Sequence, residues 1–210
     1  MWYDNHLHFK QERESIMNIC VYCSASELTD EYTEPAKRFI TILGQEGHTL
    51  VWGGSDRGLM SVIADTAEEN GAKLIGVSME SLKNTTRTVA DEMIVAEDLS
   101  ERRTLMIEKS DAFVALVGGT GTLDELTDAF EQKRHTGNNK PIVVLNTNNF
   151  YSGLETQWQR MAHDGFLNRL PRPFSELIAF VDEPEDVITK IEEMLGQEAR
   201  PLAVASAEAV

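Results

Sequence analysis

The stretch that decides the fold is Ala112-Phe113-Val114-Ala115-Leu116-Val117-Gly118-Gly119-Thr120-Gly121-Thr122-Leu123-Asp124-Glu125. It opens with an unbroken apolar run, which predicts a buried strand. A glycine turn from Gly118 to Thr122 follows, and a helical pattern then continues to about Arg134. A buried strand that leads through a tight turn into a helix is typical of a parallel sheet built from βαβ units.

The same alternation of apolar runs and helical patterns extends from Met17 to Leu195. Apolar runs predict strands at 18–23, 49–52, 73–78, 93–95, 112–117, 141–145 and 177–181. Helical patterns lie at 29–45, 58–70, 101–110, 122–134, 153–164 and 184–195. Asn70-Gly71 is a good stop for the second helix, and Ser100 is the expected cap of the third. The segment Lys83 to Ala90 lacks periodicity and predicts a surface loop, of a size that often covers sites.

Length and composition indicate one globular domain. The chain has 210 residues, of which 41% are hydrophobic and 26% charged, values that are ordinary for a globular protein. We expect a single domain at 17–195, a polar N-terminal extension at 1–16 and a flexible C-terminal tail at 196–210. The sequence contains neither the apolar run of a signal peptide nor the ~20 apolar residues of a membrane span, which predicts a cytoplasmic protein.

The charge of the chain disfavours several classes of partner. Its 35 acidic and 19 basic residues give a formal net charge of −16, which would repel nucleic acid and anionic lipid. A small anionic ligand remains possible where backbone N–H groups and one or two arginines make a site locally positive.

The cysteines and histidines do not indicate a metal site or a disulfide. Cys20 and Cys23 fall in one predicted strand, where their odd spacing sends them to opposite faces. His6 and His8 lie in the polar leader, where solvent exposure is the simpler interpretation. We therefore predict no metal ion.

The glycine turn is a candidate anion site. In an open parallel sheet, ligands bind beyond the carboxyl ends of the strands, where helix N-termini present free N–H groups. Glycines at 118, 119 and 121 let the backbone approach an anion, and the Thr122 hydroxyl adds a donor. Thr122 and Glu125 also have the spacing of a capping box, which would merely satisfy the start of the helix. Both interpretations stay open at this point.

Two nucleotide-binding motifs are excluded by spacing. The glycine turn lacks the third glycine of the dinucleotide fingerprint, because Asp124 stands in its place, so NAD is disfavoured. The turn from Gly53 to Gly58 has the glycine spacing of a P-loop but continues with Leu59-Met60 instead of Lys-Ser/Thr, so an ATPase is disfavoured too. This turn either lines the same cleft or is an ordinary βα loop.

Two arginines stand at an unfavourable place for their charge. Arg102 and Arg103 lie in the first turn of a predicted helix, where positive charge opposes the helix dipole. They are either solvated surface residues or ligands of a phosphate or sugar bound at the nearby turn.

Taken together, these motifs resemble the Lonely Guy family of cytokinin-activating phosphoribohydrolases, whose members are often mislabelled lysine decarboxylases. The resemblance covers Asn18 to about Leu195. The family pattern Pro-Gly-Gly-x-Gly-Thr-x-x-Glu is similar to Val117 through Glu125, and the upstream Glu-Arg-Lys is similar to Glu101-Arg102-Arg103. Further matches are Cys23-Ser24-Ala25-Ser26, Gly53-Gly54, Gly58-Leu59-Met60, Lys140-Pro141 and Asn146.

The resemblance implies a Rossmann-like three-layer fold with a mostly parallel central sheet, assembled as a homodimer. It implies hydrolysis of the N-glycosidic bond of a purine nucleoside 5′-monophosphate, with adenine or an N6-substituted adenine as the base, and no bound cofactor. The catalytic pair carries over to Arg102 and Glu125, neither of which is expected in the core. The positions expected to contact the substrate are Ser24, Gly53, Gly54, Met60, Arg103, Gly118, Gly119, Thr120, Gly121 and Thr122.

Several departures from the family pattern bear on activity. Val117 replaces the proline, Leu99-Ser100 replaces Met-His, Arg103 replaces the lysine, and Glu131 to Arg134 replaces a Thr-Trp-x-Gln segment. The alternative function is a non-catalytic nucleotide or molybdenum-cofactor carrier on the same fold, which would need only the phosphate turn.

The chemistry of the matched pair agrees with the implied reaction. Cleaving a ribosyl bond builds positive charge on the sugar, which the Glu125 carboxylate could stabilise while Arg102 lowers the pKa of that carboxyl group. For the dimer, Leu126, Ala129 and Phe130 lie at helical spacing and either face a partner or face the core.

Overall fold

One parallel sheet organises the molecule. A computed structural model of the chain describes residues 16–136, 138–167 and 173–198, and in it seven strands form a sheet of order β4-β3-β2-β1-β5-β6-β7. Every neighbouring pair runs parallel, so the predicted parallel α/β architecture is confirmed. The strands are β1 (Asn18–Tyr22), β2 (Thr49–Trp52), β3 (Lys73–Met79), β4 (Glu92–Ala96), β5 (Ala112–Ala115), β6 (Ile142–Leu145) and β7 (Ala179–Val181).

Helices cover both faces of this sheet and give the three layers. The helices are α1 (Asp30–Gln45), α2 (Gly58–Glu69), α3 (Leu99–Glu108), α4 (Thr120–Thr136), α5 (Ser152–His163), α6 (Phe174–Leu177) and α7 (Asp186–Glu198). One core cluster joins the sheet to α1, α2 and α7, and a second joins the opposite face to α3, α4 and α5. Short 3-10 helices at Glu80–Thr85 and Thr147–Asn149 complete the connections.

The strand order reverses between β1 and β5, which lie side by side at the centre of the sheet. The chain leaves β1 toward one edge and β5 toward the other, so the connections after these two strands diverge and leave a crevice. Such a switch point is where open α/β sheets bind ligands. The glycine turn follows β5 and therefore lies at the crevice.

Some element boundaries differ from the prediction. Asp98, and not Ser100, caps α3, because its carboxylate accepts a hydrogen bond from the backbone N–H of Glu101 at 2.9 Å. The closing helix continues to Glu198, beyond the expected start of the tail at residue 196. Residues 1–15, with His6 and His8, and residues 199–210 lie outside the described part of the chain.

The helical stripe at Leu126, Ala129 and Phe130 on α4 faces the core. Leu126, Ala129 and Phe130 are at most 3% exposed and belong to the cluster beneath α4. They pack against the sheet, so the core is the correct one of the two interpretations and the stripe gives no support to a dimer.

Cys20 and Cys23 occupy opposite faces of the sheet, as their spacing predicted. Cys20 belongs to the cluster under α3 to α5 and Cys23 to the cluster on the other face, and both are free thiols. Within residues 16–136, 138–167 and 173–198, we find no helix with the length and apolar character needed to cross a membrane.

Candidate active site

A cavity of about 400 Å³ opens at the carboxyl ends of the central strands. The connections after β1, β2, β3 and β5 and the first turn of α3 form its walls. Of the residues predicted from sequence, it is lined by Ser24, Gly53, Met60, Arg102, Gly119, Thr120, Gly121, Thr122 and Glu125. The two glycine loops thus line one cleft, which decides between the two interpretations of the turn from Gly53 to Gly58.

Arg102 extends from the first turn of α3 into the protein, where only 6% of it stays exposed. Its Nε donates to the carbonyl of Val77 at 2.8 Å, and Nη2 donates to the carbonyl of Gly53 at 3.3 Å. Nη1 donates to Glu125 Oε1 at 2.7 Å. A guanidinium has five N–H donors in a planar fork, so these bonds leave one donor on each terminal nitrogen for a ligand.

Glu125 lies in the second turn of α4 and is 7% exposed. The expectation that neither member of the catalytic pair is in the core was therefore wrong. Its carboxylate pairs with Arg102 instead of bonding back to the start of the helix, and α4 begins at Thr120, so the capping box between Thr122 and Glu125 is not formed. Thr122 and Glu125 both line the cavity instead.

Burial sets the protonation chemistry of Glu125. Removal from water raises the pKa of the Glu125 carboxyl group above its ordinary value, and the charge and hydrogen bond of Arg102 lower it only in part. We expected the arginine to dominate, and the net direction is the opposite because the carboxyl group is so deeply buried. The group is a carboxylate that gains a proton more readily than an exposed glutamate does.

Gly53 is required by the position of Arg102. A Cβ atom added to Gly53 would stand 2.3 Å from Arg102 Nη2 and 3.2 Å from the thioether of Met60. The second glycine loop thus lets the guanidinium pack directly against the backbone at the end of β2.

Gly119 and Gly121 have no internal reason to be glycine. A Cβ atom added to either would meet nothing within 4 Å, and neither has a positive φ angle. Both face the cavity, and the N–H groups of Thr120, Gly121 and Thr122 begin α4, where no helical carbonyl precedes them. Open space above glycine residues at a helix N-terminus is suited to an anion such as a phosphate.

Three predicted contact residues do not line the main cavity. Gly118 lies beneath the turn, where an added Cβ atom would stand 2.1 Å from the Thr122 hydroxyl. Gly54 has a φ of +72° and packs against Ser78 and Met93 behind the cavity. Arg103 points along the surface and forms ion pairs with Asp124 and, at 3.9 Å, with Asp128, because these carboxylates lie one helical turn apart on α4.

Sequence reasoning missed an apolar wall of the cavity. Met79, Leu82 and Leu99 line it, and Leu82 and Leu99 are 39% and 47% exposed at the mouth. The remaining lining residues are Cys23, Ala25, Ser55, Ser78 and Thr85. The expectation that the loop near 83–90 covers a site is partly confirmed by Thr85. The only available signal was the position of Ser78 and Met79 at the carboxyl end of a strand.

The covering loop is anchored by Arg87. Its guanidinium donates to Asp56, Asp65 and Glu68 at 3.1, 2.6 and 2.8 Å, and its backbone N–H donates to Gly54 at 2.8 Å. These bonds tie the end of the loop to α2 and to the second glycine loop, which holds the apolar wall against the cavity.

The lining residues limit the chemistry of the cavity. Across the described ranges, no group of three or more His, Cys, Asp or Glu residues is arranged to hold a metal ion. No lysine among the described residues lines the cavity, which leaves no amine for a Schiff base there. What the cavity offers is an anion cradle beside a buried carboxylate and a fixed guanidinium. A carboxylate so placed can stabilise positive charge on a phosphorylated ligand or activate water.

Comparison with known proteins agrees with this arrangement. The family described as "Possible lysine decarboxylase" matches residues 60–191, more than half of the 210-residue chain. The chain is 33% identical over 172 residues to the cytokinin riboside 5′-monophosphate phosphoribohydrolase of Mycobacterium tuberculosis, a match that covers 81% of this chain and 90% of that protein. It is 30% identical over 181 residues to the protein of the same name from Mycobacterium marinum, covering 85% and 95%.

The solved structure of the molybdenum cofactor binding protein from Rippkaea orientalis has a similar fold. Its TM-score is 0.66 at 21% identity, and the match covers 86% of this chain and 98% of that one. This likeness supports the Rossmann-like fold alone. The resemblance to the Lonely Guy family is confirmed by the relatives above. The chain belongs to the family described as "Possible lysine decarboxylase", and its curated relatives there are named cytokinin riboside 5′-monophosphate phosphoribohydrolases.

Proposed function

We propose that this protein hydrolyses the N-glycosidic bond of adenine, or N6-substituted adenine, nucleoside 5′-monophosphates to free base and ribose 5-phosphate. One observation carries the proposal: the buried pair of Arg102 and Glu125 shares a cavity with an open glycine cradle at a helix N-terminus. The names of the curated relatives support the same reaction.

The geometry supports a division of labour among these residues. The 5′-phosphate occupies the turn at Gly119 to Thr122 and holds the ribose against Glu125. As the bond from C1′ to the base breaks, the base leaves with the bonding electrons and positive charge develops on the sugar, where the carboxylate stabilises it. Water then adds to C1′ and loses its proton to Glu125, which releases that proton to solvent, while the departing base gains a proton from solvent. Arg102 orients the carboxylate through its bond to Oε1.

The buried ion pair favours an enzyme over a carrier. A carrier needs the phosphate turn alone, whereas taking Arg102 and Glu125 out of water has a desolvation cost that phosphate binding does not require. The chemistry in the family description has weaker support, because a pyridoxal-phosphate decarboxylase needs a lysine at its reacting centre. A cytoplasmic location and a homodimer remain predictions.

The direct test is incubation of the protein with AMP and with an N6-prenylated analogue, followed by chromatography for free base and ribose 5-phosphate. We expect stoichiometric release of both products, and a rate of release from Glu125→Gln that is lower on the order of 100-fold. Tight binding of AMP without release would overturn the proposal in favour of a carrier.

A further inference from the structure

The glycine turn is held from below by a buried tyrosine on the next connection along the sheet. Tyr151 precedes α5 and is 2% exposed. Its hydroxyl donates to the carbonyl of Leu116 at 2.8 Å, at the point where the chain leaves β5 for the turn. Burial raises the pKa of the Tyr151 hydroxyl well above its usual value, and the backbone hydrogen bond of Gly118 opposes that rise.

The other supports of this segment come from β1. The N–H of Leu116 donates to Tyr22 at 2.9 Å, and the N–H of Ser24 donates to Val117 at 3.2 Å. Gly118 itself lies under the Thr122 side chain, with no space for a Cβ atom. Tyr151 thus supplies the support from the β6 side, directly beneath the residues that open the phosphate cradle.

Tyr151 is in turn positioned by Asn146, at the end of β6. The N–H of Tyr151 donates to Asn146 Oδ1 at 2.7 Å, and the N–H of Asn146 donates to the carbonyl of Val181 on β7 at 2.8 Å. Asn146 Nδ2 donates to Ser152 at 3.3 Å and to Asp182 at 3.4 Å. Asn146 is 5% exposed. Its backbone and side chain together connect the ends of β6 and β7 to Tyr151.

We infer that Tyr151, held by Asn146, is a positioning residue that fixes the glycine turn in the conformation that binds phosphate. The tyrosine does not line the main cavity. It acts through Leu116, whose placement sets the direction in which the glycine turn and its N–H groups leave β5. This inference rests on the proposed function of the turn.

Loss of the Tyr151 hydroxyl should weaken the binding of phosphorylated ligands only. Without the Tyr151 hydroxyl, the Leu116 carbonyl at the end of β5 loses a hydrogen bond. The contacts of Arg102, Glu125 and the apolar wall are unchanged. Affinity for a phosphorylated ligand falls, and affinity for the matching nucleoside does not. A residue with a purely structural role would lower the stability of the fold and leave the ratio of the two affinities unchanged.

The experiment compares Tyr151→Phe with the wild type by calorimetric titration with AMP, ribose 5-phosphate and adenosine. The matched control is Thr66→Val, which also removes one buried hydroxyl, bonded at 2.8 Å to Val62, near the end of α2 that points away from the cavity. Thermal unfolding of each variant gives its loss of stability.

We expect Tyr151→Phe to weaken AMP and ribose 5-phosphate by about tenfold, the size of one good hydrogen bond. Adenosine affinity should stay within twofold, and Thr66→Val should alter none of the affinities. Asn146→Ala should act in the same direction. Unchanged AMP affinity in Tyr151→Phe, with AMP bound by the wild type, would overturn this inference alone. Failure of the wild type to bind AMP or ribose 5-phosphate would overturn the phosphate turn and this inference with it.

Discussion

Arg102 and Glu125 combine a structural and a chemical role in one pair of side chains. The guanidinium bonds to backbone at the ends of β2 and β3 and to the carboxylate on α4, so it joins three connections around the cavity. Neither side chain could leave water without the other, because an unpaired buried charge is strongly destabilising. The pair is thus fixed in place before any ligand arrives.

Removing either charge should abolish most turnover. We expect Glu125→Gln and Arg102→Ala each to lower kcat on the order of 100-fold, the cost of losing one electrostatic group at the reacting centre. Steady-state rates of adenine release measure this. The matched control is Glu185→Gln, an exposed carboxylate outside the cavity that also pairs with an arginine, Arg38, and its rate should equal that of the wild type.

The two variants should differ in stability. Arg102→Ala removes three hydrogen bonds and leaves the carboxyl group unpaired, which we expect to cost about 3 kcal/mol in denaturant unfolding. Glu125→Gln keeps an oxygen that accepts from Arg102 and should cost less. If either variant retained more than half of the wild-type rate, the assignment of roles would be wrong.

The raised pKa of Glu125 predicts an unusual acid limb in the pH profile. The reaction requires the carboxylate, so kcat/KM falls as pH drops through the pKa of this group, and burial places that fall at higher pH than for an ordinary glutamate. In Arg102→Gln, the carboxylate loses its positive partner and the pKa rises further. The acid limb of the residual activity should therefore move to higher pH, and a limb that stayed in place would show that another group titrates.

At the scale of elements, the start of α4 is where the sequence was most informative. The apolar run of β5 predicted a buried strand, and the glycine residues after it predicted a turn and a ligand site. Few other arrangements of residues place three glycines between a buried strand and a helix. The cap of α3 was misplaced by two residues. Asp98 and Ser100 are both good caps, and only Asp98 stands three residues before Glu101, the spacing of a capping box.

Gly119 and Gly121 have open space above them, so their substitution by alanine tests the phosphate site separately from the fold. We expect Gly119→Ala and Gly121→Ala to fold with wild-type stability, since no atom lies within 4 Å of the added methyl group, yet to weaken AMP by about tenfold. The control is Gly153→Ala, which has the same position in α5 as Gly121 has in α4 and equally open surroundings. Isothermal titration and thermal unfolding measure the two quantities. Wild-type affinity in both turn variants would contradict a phosphate cradle.

The apolar wall could not be predicted from sequence. Leu82 lies in a short 3-10 helix and Leu99 begins α3, and neither belongs to a periodic stripe. They line the same cavity only because the connections after β3 and β4 turn back over the sheet. Likewise, the stripe at Leu126, Ala129 and Phe130 signalled burial without indicating whether the core or a partner covers it.

At the scale of the whole molecule, alternation of strands and helices was enough to predict the parallel sheet, because each βαβ unit has one favoured hand and short connections. The strand order was not predicted. The side-by-side placement of β1 and β5 depends on which strand each helix returns to, and local sequence does not specify that choice.

A homodimer is the prediction for the assembled protein, and it now rests on the family resemblance. Light scattering at micromolar concentration should give twice the 23.5 kDa mass of the chain. A mass equal to that of one chain throughout the concentration range would rule the dimer out. Because the core-facing stripe on α4 takes no part, Leu126→Ala should lower stability without changing the association constant.

In the proposed reaction, the glycine turn binds the 5′-phosphate, and this binding holds the ribose against Glu125. The most direct test compares adenine release from AMP and from adenosine at equal concentration. Binding at the turn is remote from the bond that breaks, so its loss should depress turnover as well as affinity. We expect AMP to be cleaved and adenosine not to be, and we expect Thr122→Ala to reduce the difference between the two rates. Equal rates for the two substrates in the wild type would contradict this role of the glycine turn.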